Sequence, residues 1–296
     1  MKKGILKKDW FQISALLALL ALFCAVYAAL WPAHSHHALS FHTDSGPTRW
    51  VPWQYDEAFN AQREKYGADV LMAAYRTVLP DPLPGEEENV RIAAARLTGT
   101  VVMPGSVFSQ NERLGPYTQA NGYKRGPTYS GPDLVMTCGG GVCKISTTLY
   151  NVAVLCDLPV LERHCHSMPV PYVPYGQDAT VSYGAADFQF ENDTQYPLLI
   201  WAGNVDNALY IGFYGHEAPP AVEWRHEIQK VIKTSNVYQV NPGLAPGEIR
   251  LISAGIDGAV VRSWVRLTCP DGTVKTKQLG ISAYNPLPYI YEKGVE

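Results

Sequence analysis

Residues 187–213 read DFQFENDTQYPLLIWAGNVDNALYIGF, and this stretch decides the fold class. Asp187-Phe188-Gln189-Phe190-Glu191 alternates polar and apolar side chains, Asn192-Asp193 supplies turn residues, and Leu198-Leu199-Ile200-Trp201 follows as a second apolar run. The two runs predict a hairpin. A further turn within 203–207 leads to Leu209-Tyr210-Ile211-Gly212-Phe213, so an antiparallel β-meander is expected. Composition agrees, because 25 Gly, 22 Pro, 18 Tyr and 7 Trp in 296 residues suit a turn-rich, strand-rich body. A content of 47% hydrophobic and 17% charged residues supplies a core and excludes disorder. The formal charge of −3 leaves no whole-chain basic field, so no nucleic-acid partner is expected.

Upstream the pattern turns helical. Phe59, Val70, Ala73, Ala74 and Leu79 form a broken helical stripe over 57–79, interrupted at Gly67. Glu86-Glu87-Glu88 then open a second helix, with stripe Val90, Ala94 and Leu97 and a stop at Gly99. Val101-Val102-Met103 and Val107-Phe108-Ser109 read as short strands around a Pro104-Gly105 turn. The expected fold class is therefore α+β. Downstream, Pro219-Pro220 mark a boundary, and two runs, 260–268 and 273–279, joined at Pro270-Asp271-Gly272, predict a small all-β module.

Lys2, Lys3, Lys7 and Lys8 precede an apolar run over 10–31 whose frankly polar residues are Gln12 and Ser14. At about 1.5 Å per residue the run reaches roughly 33 Å, enough for a bilayer core, and the lysines place its N-terminus inside. The expected order is a cytoplasmic tail (1–9), a single-pass transmembrane signal anchor (10–31), a stalk (32–54), a main domain with preceding helices (55–220) and the β-module (221–296), the body lying outside the cell membrane. A cleaved signal peptide is the alternative.

Cysteines at 24, 138, 143, 156, 165 and 269 include no C-x-x-C pair, so neither a zinc ribbon nor a regular disulfide framework is indicated. The informative run is Cys138-Gly139-Gly140-Gly141-Val142-Cys143-Lys144-Ile145-Ser146-Thr147-Thr148-Leu149-Tyr150. Ile145, Leu149, Val152 and Cys156 lie on one helical face, which puts Cys143 at the helix start. Free amides and the positive end of the helix dipole stabilise a thiolate there, and the glycine amides can receive an oxyanion. A base is offered by His164 or His166, read as projecting from one face of a strand. Asp178 or Glu162 can orient the imidazole, with Asp187 less favoured. This is a cysteine acyl-transfer reading that needs no cofactor or metal. Two alternatives stand beside it: a packing cysteine in a non-catalytic binding protein, and a zinc-dependent peptidase in which Cys143, His164 and His166 are ligands.

These residues resemble the VanW family, named for an accessory protein of vancomycin-resistance clusters. The matching points run in order over about 85–215: Phe108-Ser109-Gln110-Asn111, Gly115-Pro116, Gly122-Tyr123, Gly139 to Cys143, Ser146 to Asn151, Glu162-Arg163-His164, His166-Ser167, Val173-Pro174, Gly176, Asp178 to Val181 and Asp187-Phe188. Lys144 stands where the family usually has Gln and Gln177 where it has Arg, and Cys138 and Cys165 are additions. The resemblance implies an L,D-transpeptidase that joins peptidoglycan stem peptides through Cys143, with Gly140, Gly141, Ser146, Thr147, Tyr150, Arg163 and Ser167 as candidates for substrate contact. Over 222–296, Pro246-Gly247-Glu248, Gly255, Gly258, Asp271-Gly272, Lys275 and Lys277, and Tyr291 to Gly294 look like a five-glycine cell-wall module, which implies wall-polymer binding.

Overall fold

The computed structural model describes residues 44–78, 82, 84–130 and 133–295. Gly67 ends the first described helix. Helix α1 (Glu57–Tyr66) is capped by the Asp56 carboxylate, which accepts from the Phe59 amide at 2.8 Å, and it stops at Gly67, whose φ of 60° lets its amide close on Arg63 and Glu64. The expected continuation to residue 79 is overturned: Val70–Val78 is a strand. Leu71, Met72, Ala73 and Ala74 suit a helix locally, but their backbone pairs with Ala208–Gly215, Tyr75 opposite Ile211. Helix α2 (Glu86–Leu97) follows expectation and buries Val90, Ala93, Ala94 and Leu97.

The main sheet is antiparallel throughout, in the order Gly46–Pro47, Val70–Val78, Ala208–Gly215, Leu198–Val205, Thr100–Val102. The 198–205/208–215 hairpin is as expected. The preceding one is not: Gln189–Glu191 pairs with Val107–Ser109 and Val160–Glu162 in a separate small sheet. Asn192 redirects the chain, its amide nitrogen donating to the carbonyls of Val102 and Tyr196 at 2.8 and 2.9 Å. Short helix α3 (Gln110–Leu114) starts at Ser109, whose hydroxyl accepts from the Glu112 amide.

Helix α4 (Cys143–Leu155) buries every residue from Lys144 to Val154. It is covered on one side by the main sheet and on another by the three-stranded sheet Ala221–Ile232, Gly258–Thr268, Val274–Tyr284. Val265 and Leu267 of that sheet belong to the same core as Ile145, Leu149 and Phe213. Asn236–Val240, Tyr289–Lys293 and Ile249–Ser253 form a further small sheet. On the opposite face of the main sheet, Val51 and Trp53 pack with Phe59 and Trp201, and the Trp53 indole donates to Tyr214. The end of the expected stalk is thus core.

Two expectations are corrected. The fold class is not α+β: among the described residues sixteen strands stand against four α-helices and one 3-10 turn, because the apolar segments after Gly67 pair laterally instead of coiling. No helix among the described residues is long and apolar enough to cross a membrane, so the single-pass membrane location loses its support. The expected tail and anchor (1–31), with Cys24 and most of the stalk, lie outside the described residues.

Candidate functional site

Cys143 is the first residue of α4, reached through a turn that glycines make possible. Gly139 and Gly141 have φ of 81° and 100°, and a Cβ on Gly140 would meet Gly126 backbone at 2.3 Å. Asn89, fully buried on α2, fastens the turn by donating to the Gly140 carbonyl at 2.8 Å and accepting from the Lys124 amide at 2.7 Å. The turn uses the amides of Val142, Lys144 and Ile145, which donate to Gly139, Gly141 and Val142.

The strand expected over the histidines ends at Glu162, and from there only a single bridge joins His164 to Thr180. The two imidazoles therefore do not share a face. His164 is exposed, with Nε2 2.9 Å from Glu162. His166 turns inward. Its Nδ1 and its backbone amide both lie 2.7 Å from Asp178 Oδ2, and its ring interacts electrostatically with Cys143. Cys143 Sγ also lies 3.2 Å from Thr180 Oγ1 and accepts from the Val181 amide at 3.5 Å.

Electrostatics follow from this arrangement. Burial pushes the Cys143 thiol up, but the interaction with His166, then the Thr180 and Val181 bonds, outweigh it and hold the thiol below its ordinary value. Burial pulls His166 down, yet Asp178 and Cys143 together raise it to about 10. Asp178 is pushed up by burial and pulled further down by His166 and Arg163, which leaves it ionised. A thiol held below its ordinary value beside a raised imidazole, itself oriented by a buried carboxylate, is an arrangement that can supply a nucleophile and a proton donor. Cys156 shows the contrast: fully buried, its thiol is pushed well above the ordinary range. Cys138, Cys143, Cys156, Cys165 and Cys269 are all free thiols.

The remaining candidates are placed as follows. Ser146 and Thr147 are buried, donate to the Ala179 carbonyl at 2.8 and 3.0 Å, and tie the Asp178 loop to α4. Tyr150 is buried beneath the Arg163 guanidinium, 5.1 Å from its ring centre. Arg163 donates to the Asp178 backbone carbonyl at 2.8 Å and to Asp178 Oδ1 at 3.0 Å. Gly140 is buried, Gly141 half-buried and Ser167 exposed. Glu162 is engaged by His164 and the Asp187 amide, and Asp187 by Ser109 and Asn111, so Asp178 is the carboxylate that reaches His166. No group of three or more His, Cys, Asp and Glu side chains among the described residues could hold a metal.

Sequence reading missed Thr180, Asn89 and Tyr284. Thr180 stood within the quoted family pattern, but no local signal marks Tyr284, whose hydroxyl donates to Asp178 Oδ1.

Residues 85–214 match the family described as VanW like protein. The chain is 34% identical over 146 residues to the uncharacterized protein YoaR of Bacillus subtilis (strain 168), an alignment covering 49% of this chain and 48% of that protein. It is 27% identical over 174 residues to the vancomycin B-type resistance protein VanW of Enterococcus faecalis (strain ATCC 700802 / V583), covering 54% and 63%. The chain thus spans about half to two thirds of the length of these relatives. An IgA1 protease G5 domain structure covers 27% of this chain and 96% of its own, at 27% identity and a TM-score of 0.18. The family match makes residues 85–214 of this chain similar to VanW-like proteins.

Proposed function

We propose that this protein is a cell-wall cysteine acyltransferase, an L,D-transpeptidase that cross-links peptidoglycan stem peptides. The observation that carries the reading is the Cys143, His166 and Asp178 constellation, with a lowered thiol and a raised imidazole. The VanW-like match and a relative named for vancomycin resistance direct it to the cell wall.

In this reading the Cys143 thiolate attacks the carbonyl preceding the donor's terminal D-amino acid. The amides of Gly141 and Cys143, which the turn does not use, receive the oxyanion. The tetrahedral adduct collapses, the C–N bond breaks, and His166 gives its proton to the departing amine, leaving a thioester. A stem-peptide amine then attacks the thioester, His166 takes its proton, and the thiolate is released with a new amide formed. Water in place of the amine gives hydrolysis, the carboxypeptidase outcome.

The C-terminal sheets are assigned to a five-glycine-type module that binds wall polymer. Support comes from stacked tyrosines: Tyr291 lies with Tyr238 at 5.3 Å and Tyr289 at 6.2 Å, and Tyr238 is half exposed. Such a ladder suits the apolar faces of sugar rings.

The test is mass spectrometry of muropeptides after mixing the protein with disaccharide-tetrapeptide. Cross-linked dimer with release of the terminal D-amino acid is expected, and Cys143→Ala should abolish it. Undiminished product from a folded Cys143→Ala variant would refute the acyl-enzyme.

A further inference from the structure

The buried acid of the site is held from outside the VanW-like segment, residues 85–214. Asp178 is 1% exposed, and its Oδ2 is committed to the ring and amide of His166. A carboxylate fixed at one oxygen still turns about its Cβ–Cγ bond, so what holds Oδ1 decides whether Oδ2 faces the imidazole. Oδ1 takes two donors, the Arg163 guanidinium at 3.0 Å and the Tyr284 hydroxyl. Tyr284 is the last residue of the 274–284 strand, 106 residues along the chain from Asp178. Arg163 is itself steadied by the same strand, donating to Ser282 Oγ at 2.7 Å. Residues 282 and 284 share one face of that strand, so a single strand supplies both contacts.

The same hydroxyl accepts from the Gly176 amide at 2.8 Å, which anchors the start of the loop carrying Asp178. The next residue, Asn285, donates its amide to the Ser167 carbonyl at 2.8 Å, beside His166. Burial pushes the Tyr284 phenol far above its ordinary range, so it remains a donor across the working pH. Its ring is 1% exposed and packs edge-on against Tyr175 at 5.3 Å.

We propose that Tyr284 is a positioning residue of the acyl-transfer site, so that the C-terminal module completes the catalytic apparatus as well as following it in the chain. The inference rests on the thiolate–imidazolium reading above. Losing the hydroxyl lets the Asp178 carboxylate swing towards Arg163 and away from His166, and the thiolate then loses the counter-charge that stabilises it.

The experiment is the pH profile of iodoacetamide alkylation at Cys143, mapped by peptide mass spectrometry on the full chain. Tyr284→Phe keeps the ring and removes the hydroxyl. Its alkylation midpoint should rise by about one pH unit, as expected for loss of a hydrogen bond to a charged group, with a roughly tenfold slower reaction near neutral pH and convergence with the unaltered protein once the thiol is fully ionised. Ser282→Ala should shift the midpoint in the same direction by less. Lys277→Met removes a different contact of the module, the 2.9 Å ion pair to Asp157, and should leave the profile in place, which separates positioning from general loosening. A Tyr284→Phe midpoint that is unmoved or lowered, or a rate reduced equally at every pH, overturns the positioning role. An unaltered protein whose Cys143 titrates as an ordinary thiol overturns the underlying site reading instead, and this inference with it.

Discussion

Replacing Asp178 by Asn keeps the shape of the side chain and removes its charge. In the structure the carboxylate receives four donors: the His166 amide and Nδ1, the Arg163 guanidinium and the Tyr284 hydroxyl. An Asn offers one acceptor oxygen and one NH₂, so a donor must face donors on one side. Arg163, 11% exposed at its side chain, also loses its carboxylate partner. Breaking a buried pair from one side costs about 3–5 kcal/mol, and at about 2–4 °C per kcal/mol for a chain of this size the melting temperature should fall by roughly 6–20 °C. Loss of the orienting carboxylate should slow product formation roughly 10⁴-fold, the scale seen when an acid–imidazole pair is left in the wrong tautomer. The sign of the pH effect follows from linkage. His166 is raised from 6.5 to about 10, so the stability it contributes is full below 6.5 and is lost as pH rises through about 10. Calorimetry at pH 6 and pH 10 should therefore show a difference that shrinks in Asp178→Asn. A melting temperature within about 2 °C of the unaltered protein, with the alkylation midpoint of Cys143 unmoved, would refute the reasoning.

Three further outcomes are expected. Limited iodoacetamide treatment at neutral pH should label Cys143 well before Cys156, because His166 lowers the first thiol and burial raises the second; equal labelling in the folded protein would deny the thiolate. His226 is pushed down to about 4 by burial and stays neutral between Gln177 and Ser263, each 3.0 Å from a ring nitrogen. Its contribution to stability is present above 6.5 and is lost as pH falls towards 4, so thermal scans of His226→Gln should decline less over that interval than those of the unaltered protein. Lys144, 1% exposed, pairs with Glu87 at 2.7 Å, whereas Glu87 is one quarter exposed. Glu87→Gln leaves a charge in the core and should cost about 3 kcal/mol; Lys144→Gln leaves a carboxylate that can reach water and should cost roughly 1 kcal/mol, an order that urea unfolding would test.

What the sequence makes legible is set by the range of each signal. The glycine run before Cys143 and the apolar spacing of Ile145, Leu149 and Val152 are local, and they locate the helix start where the structure has it. Alternation over 187–191 shows a strand but not its partner. Pairing depends on the Asn192 bonds to Val102 and Tyr196, and these send the strand to Val107–Ser109 instead of Leu198–Val205. Leu71 to Ala74 favour a helix by propensity, yet lateral pairing with 208–215 prevails here.

The histidines show the same limit within the site. A spacing of two gives one face only while the strand continues, and here the strand ends at Glu162; His164 and His166 diverge because the chain turns to bring the His166 amide and ring onto a single carboxylate oxygen. That oxygen can serve only if the other is held, and both of its holders depend on residues 282–284, more than a hundred positions away. A nucleophile needs a glycine turn and a helix dipole, which a short run of residues supplies. A fixed, ionised acid in the interior needs donors converging from several directions, and only tertiary contact supplies those. The surroundings of Cys143 are therefore written in one segment of the chain, whereas the support of Asp178 is shared between Arg163 and the distant strand that carries Ser282 and Tyr284.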